Sequence, residues 1–541
     1  MSTFADRKQL VLVGFTWLIS RSLALLATRP RVPFYWEVFE IKKLFEYGFL
    51  ERAGALVGIQ YLPGHLSNPE VFNYVNHPYP IMWVFAFAYR FFGAWGMMLI
   101  VLSIGLASCL AVFVVFRRMF TPSSALFVTL LYTLAPSAIL FDIDTNLVAL
   151  GAVIWPSSML VISHPVEQGR NSRGRAMFLG IVVFLCGQIS WFILSTLPAL
   201  MAITAEEDVS LPRQLRTPWK NSFWLAIVSG GLATFSLFLM QVILYSPDLS
   251  ESFAYAAAHT GSQDGFLSSR IRMATFVASK TLLLVGPALV VGGLCGLVYW
   301  ARGKARSRLA LGAVVGLGCL LLTALVLIRF YYRERTGYAY MLFPIAVLTA
   351  CVLEKTRTWL YLVLGALAIP GLAYVCLQIS SPKISHAGSA LAAFLQKTTK
   401  PEDVIMSNLR AQEPPFPSWD SGSREITMLA ADRLLYYDIE TVSQLMDQKT
   451  EFRSQRIVPR YLFLWNSSRP VSLDLMQYLE RNGHLLVNQS LTIPAEEPSL
   501  ALRLRSLYWR IIGSPFARNE AENQSKPGNM GFELYELPIS K

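Results

Sequence analysis

The sequence predicts a polytopic α-helical membrane protein with a small α/β domain at its C-terminal end. Three observations carry this expectation. Of 541 residues, 15% are charged and 54% are hydrophobic, against roughly a quarter charged in an average soluble domain. The chain therefore lacks the polar surface to cover itself in water. Its apolar residues are gathered in blocks, several near the roughly 20 residues a helix needs to cross a bilayer. Beyond about residue 383 the composition turns polar, and short β-like runs alternate with helical ones, the pattern of a small mixed domain. The same figures exclude a disordered chain and an ordinary soluble enzyme.

The first apolar block, about Leu10–Ala27, follows Asp6-Arg7-Lys8. No small-residue cleavage motif follows it and more spans do, so it reads as a retained first helix. The stretch 28–80 is long for a connection. Within it, Glu37–Tyr47 places Val38, Ile41, Leu44 and Phe45 at helical spacing, with Glu40, Lys42, Lys43 and Glu46 on other faces. That pattern suits a helix lying on the membrane surface. Further apolar blocks are Ile81–Phe92, Trp95–Phe116, Ser124–Phe141, Asn146–Ser163, Ala176–Ile203, Ser222–Tyr245, Ala274–Trp300, Leu309–Ile328, Tyr338–Leu353 and Trp359–Ile379.

The net charge of +12 sits mostly in short loops between these blocks, which points to membrane orientation and away from nucleic acid. Arg117-Arg118, Arg170/Arg173/Arg175, Arg213/Arg216/Lys220, Arg302/Lys304/Arg306/Arg308 and Lys355/Arg357 are expected to be cytoplasmic. For that, Ile81–Phe92 must be half-inserted, and Ala176–Ile203 must be a hairpin of two short helices turning near Gly187-Gln188. The expectation is about 11 spans, an amino end in the cytoplasm and a carboxyl end outside. A transmembrane domain then covers 1–382, with a first external loop at 28–80, and an extracytoplasmic α/β domain covers 383–541. In that domain Val404–Met406, Tyr461–Trp465, Leu485–Val487 and Phe532–Tyr535 read as strands. Ser389–Lys397, Glu440–Asp447, Asp474–Asn482 and Leu500–Ile512 read as helices. Six cysteines all fall in apolar blocks without metal-ligand spacing and read as buried small hydrophobes.

Chemistry on a membrane needs carboxylates and cations near an interface. Asp142 and Asp144 lie between two predicted spans, where charge is costly; they could hold an acceptor or a divalent cation, Mg or Mn, or simply solvate a tight turn. Glu37 or Glu40 could serve as a general base, or be a solvated helix-face carboxylate. His77 and Tyr79, in Asn76-His77-Pro78-Tyr79-Pro80, stand at the membrane edge. Arg329, Arg333 and Arg335 cluster with Tyr331, Tyr332, Tyr338 and Tyr340 at the expected external end of a span. Arg forks bind phosphate bidentately, and external arginines oppose the positive-inside bias. His259, Asp264, Arg270 and Arg272 in the Ser246–Met273 loop are weaker candidates. No Walker, Rossmann or Gly-x-Ser-x-Gly motif occurs.

The order of these parts resembles the GT-C superfamily of membrane glycosyltransferases, in its branch of protein O-mannosyltransferases and the lipid A aminoarabinose transferase. The surface helix ends Leu44-Phe45-Glu46-Tyr47-Gly48. His77-Pro78-Tyr79-Pro80-Ile81 through Phe91-Phe92-Gly93 is similar to the family's His-Pro-Pro-Leu segment. Leu134-Ala135-Pro136 followed by Asp142-Ile143-Asp144 is similar to its second acidic motif, and Tyr338–Pro344 to its Arg-Tyr-Leu-Leu-Pro stretch. The resemblance implies a sugar donor on a polyprenyl-phosphate carrier and a lipid, glycan or protein acceptor, in a bacterial inner or plasma membrane. It implies a base from Glu37 or Glu40, acceptor-orienting Asp142 and Asp144, and donor contacts from His77, Tyr79, Arg329, Arg333, Arg335 and Tyr338. One departure stands out: the family's first acidic pair falls here on Pro33 and Phe34. That departure motivates a second reading, a catalytically inactive relative serving as a subunit of an envelope assembly. A transporter is the third, disfavoured because no internal repeat is present and a large polar tail is.

Overall fold

The computed structural model describes residues 4–27, 56–57, 73–74, 80–143, 147–163, 172–205, 221–245, 267–304, 307–327, 336–356, 358–380, 394–400, 403–408, 434–436, 439–447, 459–465, 471–493 and 528–538. They fall into a helical unit, drawn mainly from residues 1–379, and a second unit built around residues 380–541. The helices expected over Glu37–Tyr47 and Leu500–Ile512 lie outside the described residues.

Among the described residues, five helices are long and apolar enough to cross a membrane, or seven spans if two bent pairs count as one each. The first is α1 (Phe4–Ala27). Next comes α2 (Pro80–Met119), broken at Gly93, whose φ of 61° is open to glycine and not to most other residues. That break separates Ile81–Phe92, expected to be half-inserted, from the span Trp95–Met119. The block Ser124–Phe141 is two helices and not one. α3 (Pro122–Thr133) and α4 (Pro136–Asp142) are bent by 56°, because Pro136 lacks the N–H to continue α3 but suits the start of a new helix.

Short pieces follow: α5 (Leu147–Leu150), a 3-10 turn Gly151–Val153 and α6 (Ile154–Ile162). α7 (Ser172–Gly187) ends where the sequence analysis set a turn, and a 3-10 turn Trp191–Thr196 leads into α8 (Leu197–Ile203). α9 (Ser222–Tyr245) fills its apolar block. The block Ala274–Trp300, expected as one span, is instead α10 (Leu267–Val285) and α11 (Pro287–Ala301), bent by 106° at Gly286. Arg270 and Arg272 thus belong to a helix and not to the preceding loop. α12 (Arg308–Val326), α13 (Ala339–Leu353) and α14 (Trp359–Ser380) complete the unit.

Every residue of α13 is buried, as expected of a helix apolar on all sides. Trp155 of α6 stacks on its Phe343 at 5.6 Å. α11 runs alongside it through glycines: a Cβ at Gly293 would lie 2.8 Å from Ile345 Cγ2, and one at Gly296 would strike Leu348. Small residues of this kind let membrane helices approach closely. The two broken pairs also meet. A Cβ at Gly286 would lie 3.1 Å from Pro136 Cδ, and one at Gly371 of α14 would lie 3.3 Å from Pro136 and 3.6 Å from Pro287.

Several charged side chains at the helix ends are tied to neighbouring elements. Arg117 pairs with Asp6 at 2.7 Å, Arg118 reaches Ser163, and Arg175 donates to the carbonyls of Val161 and Ile162 at 2.9 and 2.8 Å. Glu354 accepts from Thr121 N at 2.6 Å. Of the cysteines, Cys109, Cys186 and Cys351 are buried as expected. Cys295 and Cys376 are exposed on outer helix faces, which corrects the expectation that all six are buried.

The second unit holds a five-stranded sheet of β3 (Val404–Ser407), β4 (Leu434–Tyr436), β5 (Tyr461–Trp465), β6 (His484–Ile493) and β7 (Gly528–Glu536), in the order β4-β3-β5-β7-β6. Two dipeptide strands, β1 (Leu56–Val57) and β2 (Asn73–Tyr74), come earlier in the chain. β3 is parallel to β4 and β5, and β7 is antiparallel to β5 and β6. Tyr461–Leu464 are buried on both faces of the central strand, while α15 (Leu473–Asn482) buries only Leu475 and Leu479. Burial and the neighbouring Glu533, which accepts from its hydroxyl at 2.9 Å, push the Tyr535 pKa up to about 12.

Gly286 joins a φ of 93° to a full neighbourhood, so Gly286→Ala is expected to lose on the order of 1–3 kcal/mol. Gly365→Ala, where no heavy atom lies within 4 Å of the added Cβ, is the matched control. Thermal unfolding in detergent should drop for the first and not the second.

Candidate functional site: a buried arginine–aspartate pair

Charges inside an apolar helical bundle are expensive, so each one marks something to be explained. On α1, Val13, Trp17, Arg21 and Ala24 recur at steps of four, four and three, one stripe of a helix. All four are buried, whereas Leu12, Phe15, Leu18, Ile19, Leu23 and Leu26 are exposed. The stripe thus carries a guanidinium into the interior, where its side chain is 2% exposed.

Asp142, the last residue of α4, receives it. Arg21 Nε and Nη2 lie 2.8 and 2.7 Å from Asp142 Oδ2, and Trp17 Nε1 donates to the same oxygen at 2.8 Å. Arg21 Nη1 donates to Ser20 Oγ at 2.9 Å and to the Thr133 carbonyl at 2.5 Å. One hydrogen on Nε, two on Nη1 and one on Nη2 are engaged, four of the five a guanidinium offers. The Trp17 ring lies 5.6 Å from the guanidinium carbon. Thr133 continues the cluster, its hydroxyl 2.8 Å from Cys109 Sγ. A carboxylate at a helix C-terminus meets the negative end of the helix dipole, and the guanidinium offsets that. The absence of a side chain at Gly105 also matters, since a Cβ there would collide with the Asp142 carboxylate.

A second polar group forms where the 3-10 turns meet α13. A Cβ at Gly151 would run into the Tyr340 hydroxyl and lie 2.7 Å from Ser190 Cβ, and Trp155 Nε1 donates to the Tyr340 carbonyl at 3.0 Å. α10 packs on α4 and on the Thr336–Tyr338 turn. It carries Lys280, only 7% exposed, and Gln241 of α9 is 6% exposed.

Of the residues expected to form a site, the structure describes Asp142 and Tyr338; Glu37, Glu40, His77, Tyr79, Asp144, Arg329, Arg333 and Arg335 lie outside the described residues. The cation that stands against Asp142 is Arg21. Among the described residues no group of three His, Cys, Asp or Glu could hold a metal ion; Asp142 Oδ2 is taken by Arg21 and Trp17, and Asp144, the other expected ligand, lies outside the described residues. Tyr338 has no exposed surface and belongs to the main hydrophobic core. Sequence reasoning missed Arg21, Trp17 and Lys280. Their signal was present: a lone Arg or Lys inside an apolar block is itself a flag.

Breaking a buried ion pair leaves an uncompensated charge and costs about 3–5 kcal/mol. Arg21→Met and Asp142→Leu are each expected to destabilise by that order, while the double variant recovers most of the loss. A double-mutant cycle on thermal unfolding measures it; losses that simply add would mean the pair is uncoupled.

No protein-family model and no curated protein matches the chain by sequence. Solved structures do. ArnT from Cupriavidus metallidurans bound to undecaprenyl phosphate is similar over 88% of this chain and 96% of its own, at a TM-score of 0.54 and 13% identity. The same protein in its apo state is similar over 87% and 95%, at 0.51 and 13%. The Archaeoglobus fulgidus oligosaccharyltransferase in complex with Zn and sulfate is similar over 98% and 88%, at 0.49 and 10%. A likeness at so low an identity is a statement of architecture: this chain shares the fold of ArnT.

Proposed function

We propose that the chain is an integral membrane glycosyltransferase that moves a sugar from a polyprenyl-phosphate carrier to an acceptor on the extracytoplasmic face. The observation that carries this reading is the likeness to ArnT over 96% of that chain, in a structure with undecaprenyl phosphate bound. Orientation follows from the basic loops: the end with Arg117, Arg118 and Arg175 is taken as cytoplasmic. The Asp142 end and the residue 383–541 domain then face outward.

In the proposed reaction the acceptor oxygen attacks the anomeric carbon, and the bond from that carbon to the carrier phosphate oxygen breaks, with inversion. The acceptor proton passes to Glu37 or Glu40, and the carrier phosphate leaves with the electron pair. Arg329, Arg333 and Arg335 hold that phosphate, with His77 and Tyr79 at the membrane edge. Lys280 joins them in this reading, as a cation only 7% exposed on α10, the bent helix that packs on α4. Asp144 orients the acceptor. Asp142, held by Arg21, acts as a positioning residue for the turn that carries Asp144. An apolar groove opening sideways admits the prenyl chain, since passing it through water would be prohibitive.

The test is transfer of labelled sugar from a polyprenyl-phosphate donor by the full chain in membranes. Loss of a general base lowers turnover by roughly 10²–10⁴-fold, so Glu37→Gln or Glu40→Gln should do so, and Lys280→Met should weaken donor use. Full activity in both glutamine variants would reject the base assignment. No transfer by the wild type from any carrier-linked sugar would favour the non-catalytic subunit, the reading that Pro33 and Phe34 motivate.

A further inference from the structure

The far end of α11 carries a feature that the transferase reading does not use. The helix ends in a turn of defined geometry. Gly303, at φ 72°, donates its N–H to the Trp300 carbonyl at 2.8 Å, and Lys304 donates to the Tyr299 carbonyl at 3.2 Å. These are the two bonds of a Schellman cap, with glycine at the left-handed position. The cap folds the chain back on the helix, so that Lys304 Nζ comes to 5.9 Å from the centre of the Tyr299 ring. Arg302 and Lys304 thereby rim a groove of about 330 Å³ whose wall is Leu294, Cys295, Val298 and Tyr299.

The two halves of this groove ask for different chemistry. Leu294 and Val298 are 57% and 51% exposed on a helix of the membrane-spanning unit, a surface for an acyl chain. At the rim, two full positive charges outweigh the roughly half negative charge of a helix C-terminus, whose last carbonyls the cap has already engaged. Tyr299 supplies the amphipathic ring typical of the headgroup zone. We propose that this groove binds an anionic phospholipid of the surrounding bilayer, its phosphate held by Arg302 and Lys304 and one acyl chain lying along Leu294 and Val298. The occupant follows from charge complementarity joined to an apolar wall: a zwitterionic lipid would leave its cationic headgroup facing the same two cations. The inference stands independently of the proposed transferase activity.

Native mass spectrometry of the full chain, released from micelles doped with palmitoyl-oleoyl phosphatidylglycerol or the matching phosphatidylcholine, tests it. Wild type should retain phosphatidylglycerol in preference. With roughly 1 kcal/mol for each interfacial cation, Arg302→Ala/Lys304→Ala should reduce that retention about tenfold or more and leave phosphatidylcholine unchanged. Gly303→Val keeps every charge but destroys the cap, and it too should lower retention; this variant separates a built site from overall basicity. Equal retention of the two lipids by the wild type, or undiminished phosphatidylglycerol in the double alanine variant, would overturn the proposal. So would displacement of the lipid by excess inorganic phosphate, because the acyl half would then contribute nothing.

Discussion

A buried guanidinium and the carboxylate, 16% exposed, that receives it constrain most of what surrounds them. Neither charge is tolerable alone at that depth, so the elements that carry them must meet. Arg21 on α1 and Asp142 at the tip of α4 are 121 residues apart in sequence, and their pairing fixes the first helix against a helix that starts only after a break. Asp6–Arg117 does the same at the other end of α1. Fifteen residues separate Asp6 from Arg21, about 22 Å of helix, somewhat less than the hydrocarbon thickness of a bilayer. α1 is thus pinned at both ends while one side of it stays open to lipid.

The breaks acquire their meaning from the same constraint. Non-helical backbone at membrane depth survives only where protein buries it or where it lines a cavity. Here Pro136, Gly286, Pro287 and Gly371 pack against one another, so each interruption shelters the next. The bent pieces α4 and α10 carry Asp142 and Lys280, and the unbroken α1 brings Arg21 to the first of them. α13, buried along its whole length, holds the assembly together.

Much of this was legible in the sequence because hydrophobic blocks report helices directly. Ser222–Tyr245 coincides with α9, and Tyr461–Trp465 with β5. The bends were not read, although Leu134-Ala135-Pro136 and Gly286-Pro287 spell them out as breaker signals within apolar runs. A block search counts hydrophobicity and passes over one proline. Asp142 was visible as a charge in a costly place. Its partner was not, because nothing local ties residue 21 to residue 142; only the folded chain does. Glu37, Glu40, Asp144 and the arginines of 329–335 come from motif resemblance, and they enter the account as proposals for that reason.

The most direct test of the account is a cryo-electron-microscopy map of the full chain in nanodiscs with undecaprenyl phosphate, compared with one lacking it. The account predicts added density for a phosphate within contact of Lys280 or of Arg329, Arg333 and Arg335, with the prenyl tail running sideways into the lipid. Undecaprenyl phosphate found only among the annular lipids, with no density at those cations, would contradict it.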